Sequence, residues 1–336
     1  MVILVTGGAG YIGSHVVKLL LEDTDNEVVV LDSLITGFQS TIDTLQTIRE
    51  FKFIEADLSN WDMIEEIFKS ENFDAIIHFA ASLIVPESVE NPLKYYRNNT
   101  ANTTNLVSLA IKYNIKKLIF SSTAAVYGEP SIDDVADGIK EDFPTNPINP
   151  YGQSKLFSEK IIQDSAKVSD LQYVIFRYFN VAGASPDLKI GQKTLNATHL
   201  IKVASECATN KRETISIFGD DYLTADGTCI RDYIHVVDLA SAHIKALKYL
   251  DDNESDIFNI GYSRGFSVKD VIDTMKKVSH KDFKVEMAPK RAGDPAMLIS
   301  NNDKIKAKMK WTPRYDDLEV ICKGAFEWEG KMDETI

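Results

Sequence analysis

An α/β fold, a doubly wound parallel sheet followed by a smaller C-terminal α/β domain, is predicted by three features of this sequence. Short β-rich runs alternate with amphipathic helical stretches through the first half. The runs are continuously apolar rather than alternating, the pattern of strands buried on both faces. The first of them leads into a glycine-rich turn and then a helix. Strand-like segments fall at Val2–Val5, Glu27–Leu31, Phe51–Glu55, Ala75–Phe79, Lys117–Ser121 and Tyr173–Arg177, with helical stretches such as Ile12–Leu21, Met63–Lys69 and Lys94–Tyr113 between them. Right-handed crossovers wind such strands into one sheet. Later the rhythm loosens: Gly183–Lys193 and Asp220–Gly227 read as loops, and helices fall near Thr198–Thr209, Val237–Leu250 and Val268–Val278. The first domain is therefore placed at 1–180, with a stretch near 230–260 returning to it, and the second at 181–336.

Bulk composition narrows the class of partner. The 336 residues, 44% hydrophobic and 26% charged, suffice for one or two cores. A net charge of −13 argues against nucleic acid, although a local pocket can still be basic. Cys207, Cys229 and Cys322 show no paired spacing, which suits reduced thiols in a cytoplasm. No apolar run approaches the ~20 residues of a membrane span, and Val2 begins a strand where a charged leader would stand. The histidines lack metal-ligand spacing, so no metal is expected.

The glycine turn carries the first chemistry. Gly7, Gly10 and Gly13 give a tight turn, a close approach of backbone to a pyrophosphate, and close packing of helix on strand. A helix N-terminus then meets negative charge with N–H groups and a favourable dipole. Asp32 ends the second strand, where an acid binds the adenosine ribose hydroxyls and repels a 2′-phosphate, favouring NAD over NADP. The domain is thus Rossmann-like. Asp57 and Leu58, after the third strand, are placed beside the adenine, and Phe79, Ala80 and Ala81, after the fourth, where the cofactor backbone passes.

The second chemistry lies further along. The fifth strand ends in Ser121-Ser122-Thr123, and Tyr151 and Lys155 follow, four residues apart on one face of a helix. A YxxxK pair alone is commonplace on surface helices; behind a nucleotide-binding loop it makes an acid–base centre. Tyr151 exchanges a proton with a substrate hydroxyl, Lys155 and a positive nicotinamide lower the phenol pKa from roughly 10, and Thr123 aims the same oxygen.

The loop, the Ser-Ser-Thr run and YxxxK together resemble the extended short-chain dehydrogenase/reductase superfamily over essentially the whole chain. Four later segments are similar to those of the UDP-glucose (UDP-galactose) 4-epimerase family: Arg177–Gly183, Ile217–Tyr222, Asp226–Val236 and Arg291-Ala292-Gly293-Asp294. The resemblance implies a tightly bound NAD and a UDP-sugar substrate. It implies that Tyr11 and Ile12 carry the pyrophosphate on their backbone. Asn98 and Ser121 join the loop at Phe79–Ala81 in the NAD site, and Tyr178 lies beside the nicotinamide. It further implies that Asn180, Arg231, Arg291 and Asp294 hold the UDP moiety, with Phe218 near the uracil and Phe179, His199 and Leu200 in the same substrate site. A homodimer joined through helices near 90–113 and 150–168 is implied as well.

Four positions depart from the family's pattern. Thr123 stands where Ser is common, and keeps the oxygen. A Lys often found in the stretch after Phe79 is missing from Ala81-Ser82-Leu83-Ile84. His199 replaces a common Asn, which puts one diphosphate contact in doubt. Leu298 occupies the place of a Tyr in strict glucose/galactose epimerases, leaving room beside the sugar's 2-substituent, so the acetamido sugars UDP-GlcNAc and UDP-GalNAc are expected substrates too. The reaction implied is inversion of C4 through a transient 4-keto sugar. A 4,6-dehydratase would carry Asp-Glu after the catalytic Thr, where this chain has Ala124-Ala125. A net dehydrogenase and an NAD-sensing protein without turnover are the remaining alternatives.

Overall fold

The first strand, β1 (Val2–Thr6), is apolar because it is covered on both faces: Ile3, Leu4 and Val5 are fully buried. The computed structural model describes residues 1–195, 197–291 and 294–332. Ala292 and Gly293 of the fourth resemblance segment therefore lie outside the described residues. The chain divides into two units. Unit 1 comprises Met1–Gly128, Thr145–Arg177 and Ala240–Phe258, and unit 2 comprises Glu129–Pro144, Tyr178–Leu239 and Asn259–Ile336.

The large sheet contains β1, β2 (Glu27–Asp32), β3 (Lys52–Glu55), β4 (Ala75–His78), β5 (Lys117–Thr123), β6 (Gln172–Tyr178) and β10 (Asp256–Ile260), in the order β10-β6-β5-β4-β1-β2-β3. β1 pairs in parallel with both β2 and β4, so the chain reverses its direction of winding there. Ligands of doubly wound sheets bind outside the strand ends at such a switch point. The strand β10 is absent from the sequence-based set because Asp256 and Asn259 interrupt its short apolar run.

The connecting helices are α1 (Tyr11–Asp23), α2 (Gln39–Gln46), α3 (Trp61–Ser70), α4 (Val85–Glu90), α5 (Pro92–Tyr95), α6 (Asn102–Lys112) and α7 (Pro150–Ala166). The stretch 94–113, expected as one helix, is interrupted: a π-helical turn at Tyr96–Ala101 joins α5 to α6. π-turns are costly and cluster at functional sites. This one holds Asn98 and Asn99, whose side chains bond Ser82. The start of α7 is fixed by Pro150 at its first turn and by Asn149, whose side chain accepts from Gly152 N at 2.9 Å. That cap sets the rotation of Tyr151 and Lys155.

In unit 2, β7 (Asn180–Ala182), β11 (Gly265–Ser267) and β13 (Met297–Leu298) all pair with β9 (Ile230–His235), and β8 (Thr214–Phe218) pairs in parallel with β12 (Lys284–Ala288). The register sets Leu298 against Arg231 and Asn180 against Tyr233. Asp232 anchors this layer, accepting from the backbone N–H groups of Tyr262 (2.8 Å), Ser263 (3.0 Å) and Ser300 (3.1 Å). Burial still pushes its carboxyl up to about 6. The helices are α8 (Leu200–Ala208), α10 (Val268–Ser279), α11 (Asp303–Met309) and α12 (Leu318–Lys331); α9 (Val236–Asp252) begins in unit 2 and continues in unit 1.

Candidate active site

The phosphate loop is built by sterics. Gly7 sits at φ +73, and a Cβ there would lie 2.7 Å from Ala80 N. A Cβ on Gly13 would lie 2.2 Å from Gly7 O. Only glycine lets the loop close against β4's exit and α1 at once. Helix α1 follows Gly10 with no side-chain cap and no acid in its first turn, so Tyr11 and Ile12 open a helix end suited to an anion. Asp32 is buried, accepting from Ala9 N and Leu34 N, both at 2.9 Å. Burial raises its pKa and the two N–H groups oppose that. A carboxylate has about four lone-pair sites, so capacity remains for a ribose hydroxyl. The closed glycine cradle, the uncapped helix start and this acid fit a dinucleotide.

Other expected cofactor residues fall into distinct environments. Asp57 already accepts from Ser59 N at 2.7 Å. The Leu58 side chain belongs to the hydrophobic core at 7% exposure, which leaves its backbone as the part able to meet a ligand. Phe79 and Ala80 line the wall against which Gly7 packs. Asn98 donates to the Ser82 hydroxyl at 3.1 Å. Ser121 uses its carbonyl to accept from Lys155 Nζ at 2.8 Å.

Thr123, Tyr151 and Lys155 converge within unit 1. The Thr123 hydroxyl, which accepts from Ala125 N at 3.1 Å, faces the Tyr151 phenol closely enough to favour its charged form. Lys155 is buried, its Nζ 4.9 Å above the Phe120 ring. Burial raises the phenol pKa, and the Thr123 hydroxyl lowers it. Burial also pulls the Lys155 amine down to about 7, with Glu159 opposing. Sequence reasoning makes the Lys155 charge a lever on the phenol; in the cofactor-free chain burial weakens that charge, and the Thr123 hydroxyl also lowers the phenol pKa.

The Lys155 shift has a pH signature. Between about 10.5 and about 7 the unfolded chain binds a proton that the folded chain does not. Stability from this site is therefore present above the unfolded pKa and lost as pH falls toward 7. In the cofactor-free protein, Lys155→Met should be more stable than wild type near about pH 6, with the gain shrinking toward about pH 9.5. Chemical denaturation at both pH values checks this; an equal difference at both would refute it.

Two further groups escaped sequence reasoning. Glu159 lies one turn beyond Lys155 and accepts from Arg177 Nε at 3.1 Å and from a second Arg177 nitrogen at 2.7 Å, while the Ser122 hydroxyl donates to it. The spacing 151, 155, 159 was the available signal. His78 lies between Thr6 Oγ1 (2.7 Å) and Thr103 Oγ1 (3.0 Å). Thr103 spends its single proton on Asn99 O at 2.6 Å, so it accepts from His78 Nε2–H, and Nδ1 accepts from Thr6. Burial, followed by Lys155, lowers this imidazole to about 3 and keeps it neutral.

The substrate residues named from the resemblance lie in unit 2. Arg231 pairs with Asp294, and the Arg291 guanidinium stacks 3.6 Å from the Phe218 ring centroid. Tyr178 and Phe179 are buried at the start of the unit's Tyr178–Leu239 segment, and Asn180 is half-buried in β7. His199 is the N-cap residue of α8, which Leu200 begins. Gln192 Nε2 lies 3.1 Å from His199 Nδ1; an amide donor there leaves the imidazole proton on Nε2. Burial lowers the His199 pKa, favouring this neutral donor form. Among the described residues no cluster of three or more potential metal ligands is present, and no helix is long and apolar enough to cross a membrane.

The strand order, the glycine cradle with its buried acid, and the Thr-Tyr-Lys centre define a dinucleotide-dependent enzyme of the doubly wound class. The chain belongs to the NAD dependent epimerase/dehydratase family, whose model matches residues 3–261, and NAD is its cofactor. It is 46% identical over 335 residues to the UDP-glucose 4-epimerase of Lacticaseibacillus casei, covering 99% of this chain and 98% of that one. Among solved structures it is similar to the UDP-Glc/GlcNAc 4-epimerase of Campylobacter jejuni, at 55% identity, TM-score 0.86 and coverage of 98% and 99%. It is also similar to the Bifidobacterium longum UDP-glucose 4-epimerase in complex with NAD⁺ and UDP, at 32% identity, TM-score 0.94 and coverage of 100% of both chains.

Proposed function

We propose that this protein is a UDP-hexose 4-epimerase that interconverts UDP-glucose with UDP-galactose and UDP-GlcNAc with UDP-GalNAc. The observation that carries the reading is the meeting of the Thr123 hydroxyl, the Tyr151 phenol and a buried Lys155, held by Ser121 O, at the end of β5. Gly7, Gly10, Tyr11, Ile12, Gly13 and Asp32 would hold the dinucleotide at its pyrophosphate and adenosine ribose, with Asn98, Ser121 and Lys155 nearer the nicotinamide. Bound NAD supplies the acceptor, and then the donor, of the hydride at C4. Tyr151 takes the proton from the sugar O4 and returns it after the 4-keto sugar has turned. Thr123 aims the phenol at that oxygen. Lys155 supplies positive charge to the phenolate, which a desolvated site makes more effective.

Arg231 and Arg291 are suited to a diphosphate because each guanidinium offers several donors in a planar fork. Phe218 offers a flat face to the uracil, and His199 a neutral N–H in place of an amide. Ala124 and Ala125 carry no group able to move a C5 proton, which disfavours the dehydratase. We place the enzyme in the cytoplasm as a homodimer, supported by the exposed Val89, Leu93 and Phe157 on helices α4, α5 and α7.

The purified protein incubated separately with UDP-glucose and UDP-GlcNAc should form both 4-epimers, resolved by chromatography, without accumulating NADH. Formation of neither would overturn the reading. The acetamido activity is supported by Leu298 and by the dual sugar specificity in the name of the 55%-identical Campylobacter jejuni enzyme. Leu298→Tyr should cut kcat/KM for UDP-GlcNAc by about 100-fold or more, a loss of roughly 3 kcal/mol, and leave UDP-glucose within about three-fold. Unchanged turnover of both sugars would remove Leu298 as the determinant.

A further inference from the structure

The segment Ser82–Ile84 lies beyond the end of β4 and pairs with no strand among the described residues, yet its backbone groups at 82 and 84 are bonded in pairs. Asn99 Oδ1 accepts from Ser82 N at 2.8 Å, and Asn99 Nδ2 donates to Ser82 O at 3.0 Å. Two residues on, the Tyr95 hydroxyl accepts from Ile84 N at 3.0 Å, and its single proton is shared between Ile84 O at 2.6 Å and the Glu87 carboxylate at 2.8 Å. Both groups of residue 82 and both of residue 84 thus face one side, as along the edge of an extended strand. The spacing explains the fit. Four residues of helix rise about 6 Å and two residues of strand about 6.8 Å, so side chains at 95 and 99 can stand in for a missing strand.

The same two side chains reach the catalytic helix. Asn99 Nδ2 donates to Ser154 Oγ at 3.0 Å, and Ser154 Oγ donates to Tyr151 O at 2.8 Å. The Tyr95 ring meets the Tyr151 ring edge to face, 6.4 Å between centroids and 83° between planes. Asn99 is 2% exposed and Tyr95 fully buried, so neither contacts solvent to any extent. The Asn99 amide has both N–H groups engaged and its oxygen occupied, which leaves it no alternative partner to turn to.

We propose that Tyr95 and Asn99 are positioning residues that clamp Ser82–Ile84 to the Tyr151 turn of α7, so that seating of the cofactor-facing segment and the aim of the phenol are fixed together. This rests on the epimerase reading for its kinetic consequence alone. The step they serve is proton transfer, so their loss should lower kcat and spare substrate affinity.

The test uses Asn99→Asp, which replaces the two N–H donors by an acceptor, and the milder Tyr95→Phe, which keeps the ring and deletes the hydroxyl. For each, kcat should fall about ten- to hundred-fold with KM for UDP-glucose within about two-fold, since an ångström-scale misplacement costs on that order. Hydrogen–deuterium exchange of the cofactor-free protein should speed up together in residues 80–85 and 150–156. In a double-mutant cycle, Ser154→Ala should add little to Asn99→Asp. Faster exchange at 80–85 alone, or retained kcat in both variants, would overturn the proposal. Wild type inert on UDP-glucose would sink the epimerase reading instead, and the linked exchange would then decide the clamp by itself.

Discussion

Replacing Tyr151 with Phe should lower kcat for C4 inversion by about 10² to 10⁴, the usual worth of positioned acid–base help. The ring stays, so packing against Tyr95 stays, and only the phenol oxygen is removed. NAD content and KM should remain within about two-fold, because the loss falls on the chemical step. Burial raises the phenol pKa, so the chain without its cofactor holds Tyr151 protonated at neutral pH. Stopped-flow kinetics with UDP-galactose, alongside the NAD absorbance of the purified protein, would separate the two readouts. A Phe variant turning over within about three-fold of wild type would remove Tyr151 as the proton carrier. It would also revive the reading of an NAD-sensing protein.

The second large effect concerns stability. Glu159→Gln should cost about 3–5 kcal/mol of unfolding free energy, because it leaves the Arg177 guanidinium buried without its counter-charge. Glu159 is fully buried and Arg177 is 3% exposed, and the pair is bidentate. Arg177 also donates to Tyr127 at 3.0 Å, and Ser122 bonds Glu159, so the pair ties β5, α7 and β6 beneath the catalytic centre. Replacing both partners, Glu159→Gln with Arg177→Met, should recover part of the loss, since no unpaired charge is then buried. Urea unfolding of wild type and the two variants is the measurement; a single Glu159→Gln loss below about 1 kcal/mol would show that water reaches the pair.

The strands and the chemistry were legible to different degrees. β1, β2, β4 and β5 announced themselves as apolar runs because a doubly covered strand has no face for polar residues. β10 did not, because Asp256 and Asn259 break its pattern and its place in the sheet is fixed by long-range pairing. The helix expected across 94–113 was right in extent and wrong in kind: periodicity cannot register one extra residue in a turn, and the π-turn at Tyr96–Ala101 is held by partners in the Ser82 segment. Leu58 is placed beside the cofactor by its position after β3, and its side chain lies in the core, so only its backbone is left to face a ligand.

At the site, spacing within one helix was readable, and bonds between elements were not. Gly7, Gly13, Asp32, Tyr151 and Lys155 stand out as candidates by residue type and local interval, since a turn, a helix start and an i,i+4 face are local geometry. The electrostatics of Lys155, the neutral His78, the Glu159–Arg177 pair and the clamp formed by Tyr95 and Asn99 depend on burial and on partners distant in sequence, such as Thr6 and His78, 72 residues apart. The glycine turn and the spacing of Tyr151 and Lys155 are readable along the chain, because backbone sterics and helix periodicity act over a few residues. The surroundings of the phenol and the weakened charge of the amine emerge on folding, because desolvation and hydrogen-bond partners are properties of the packed chain.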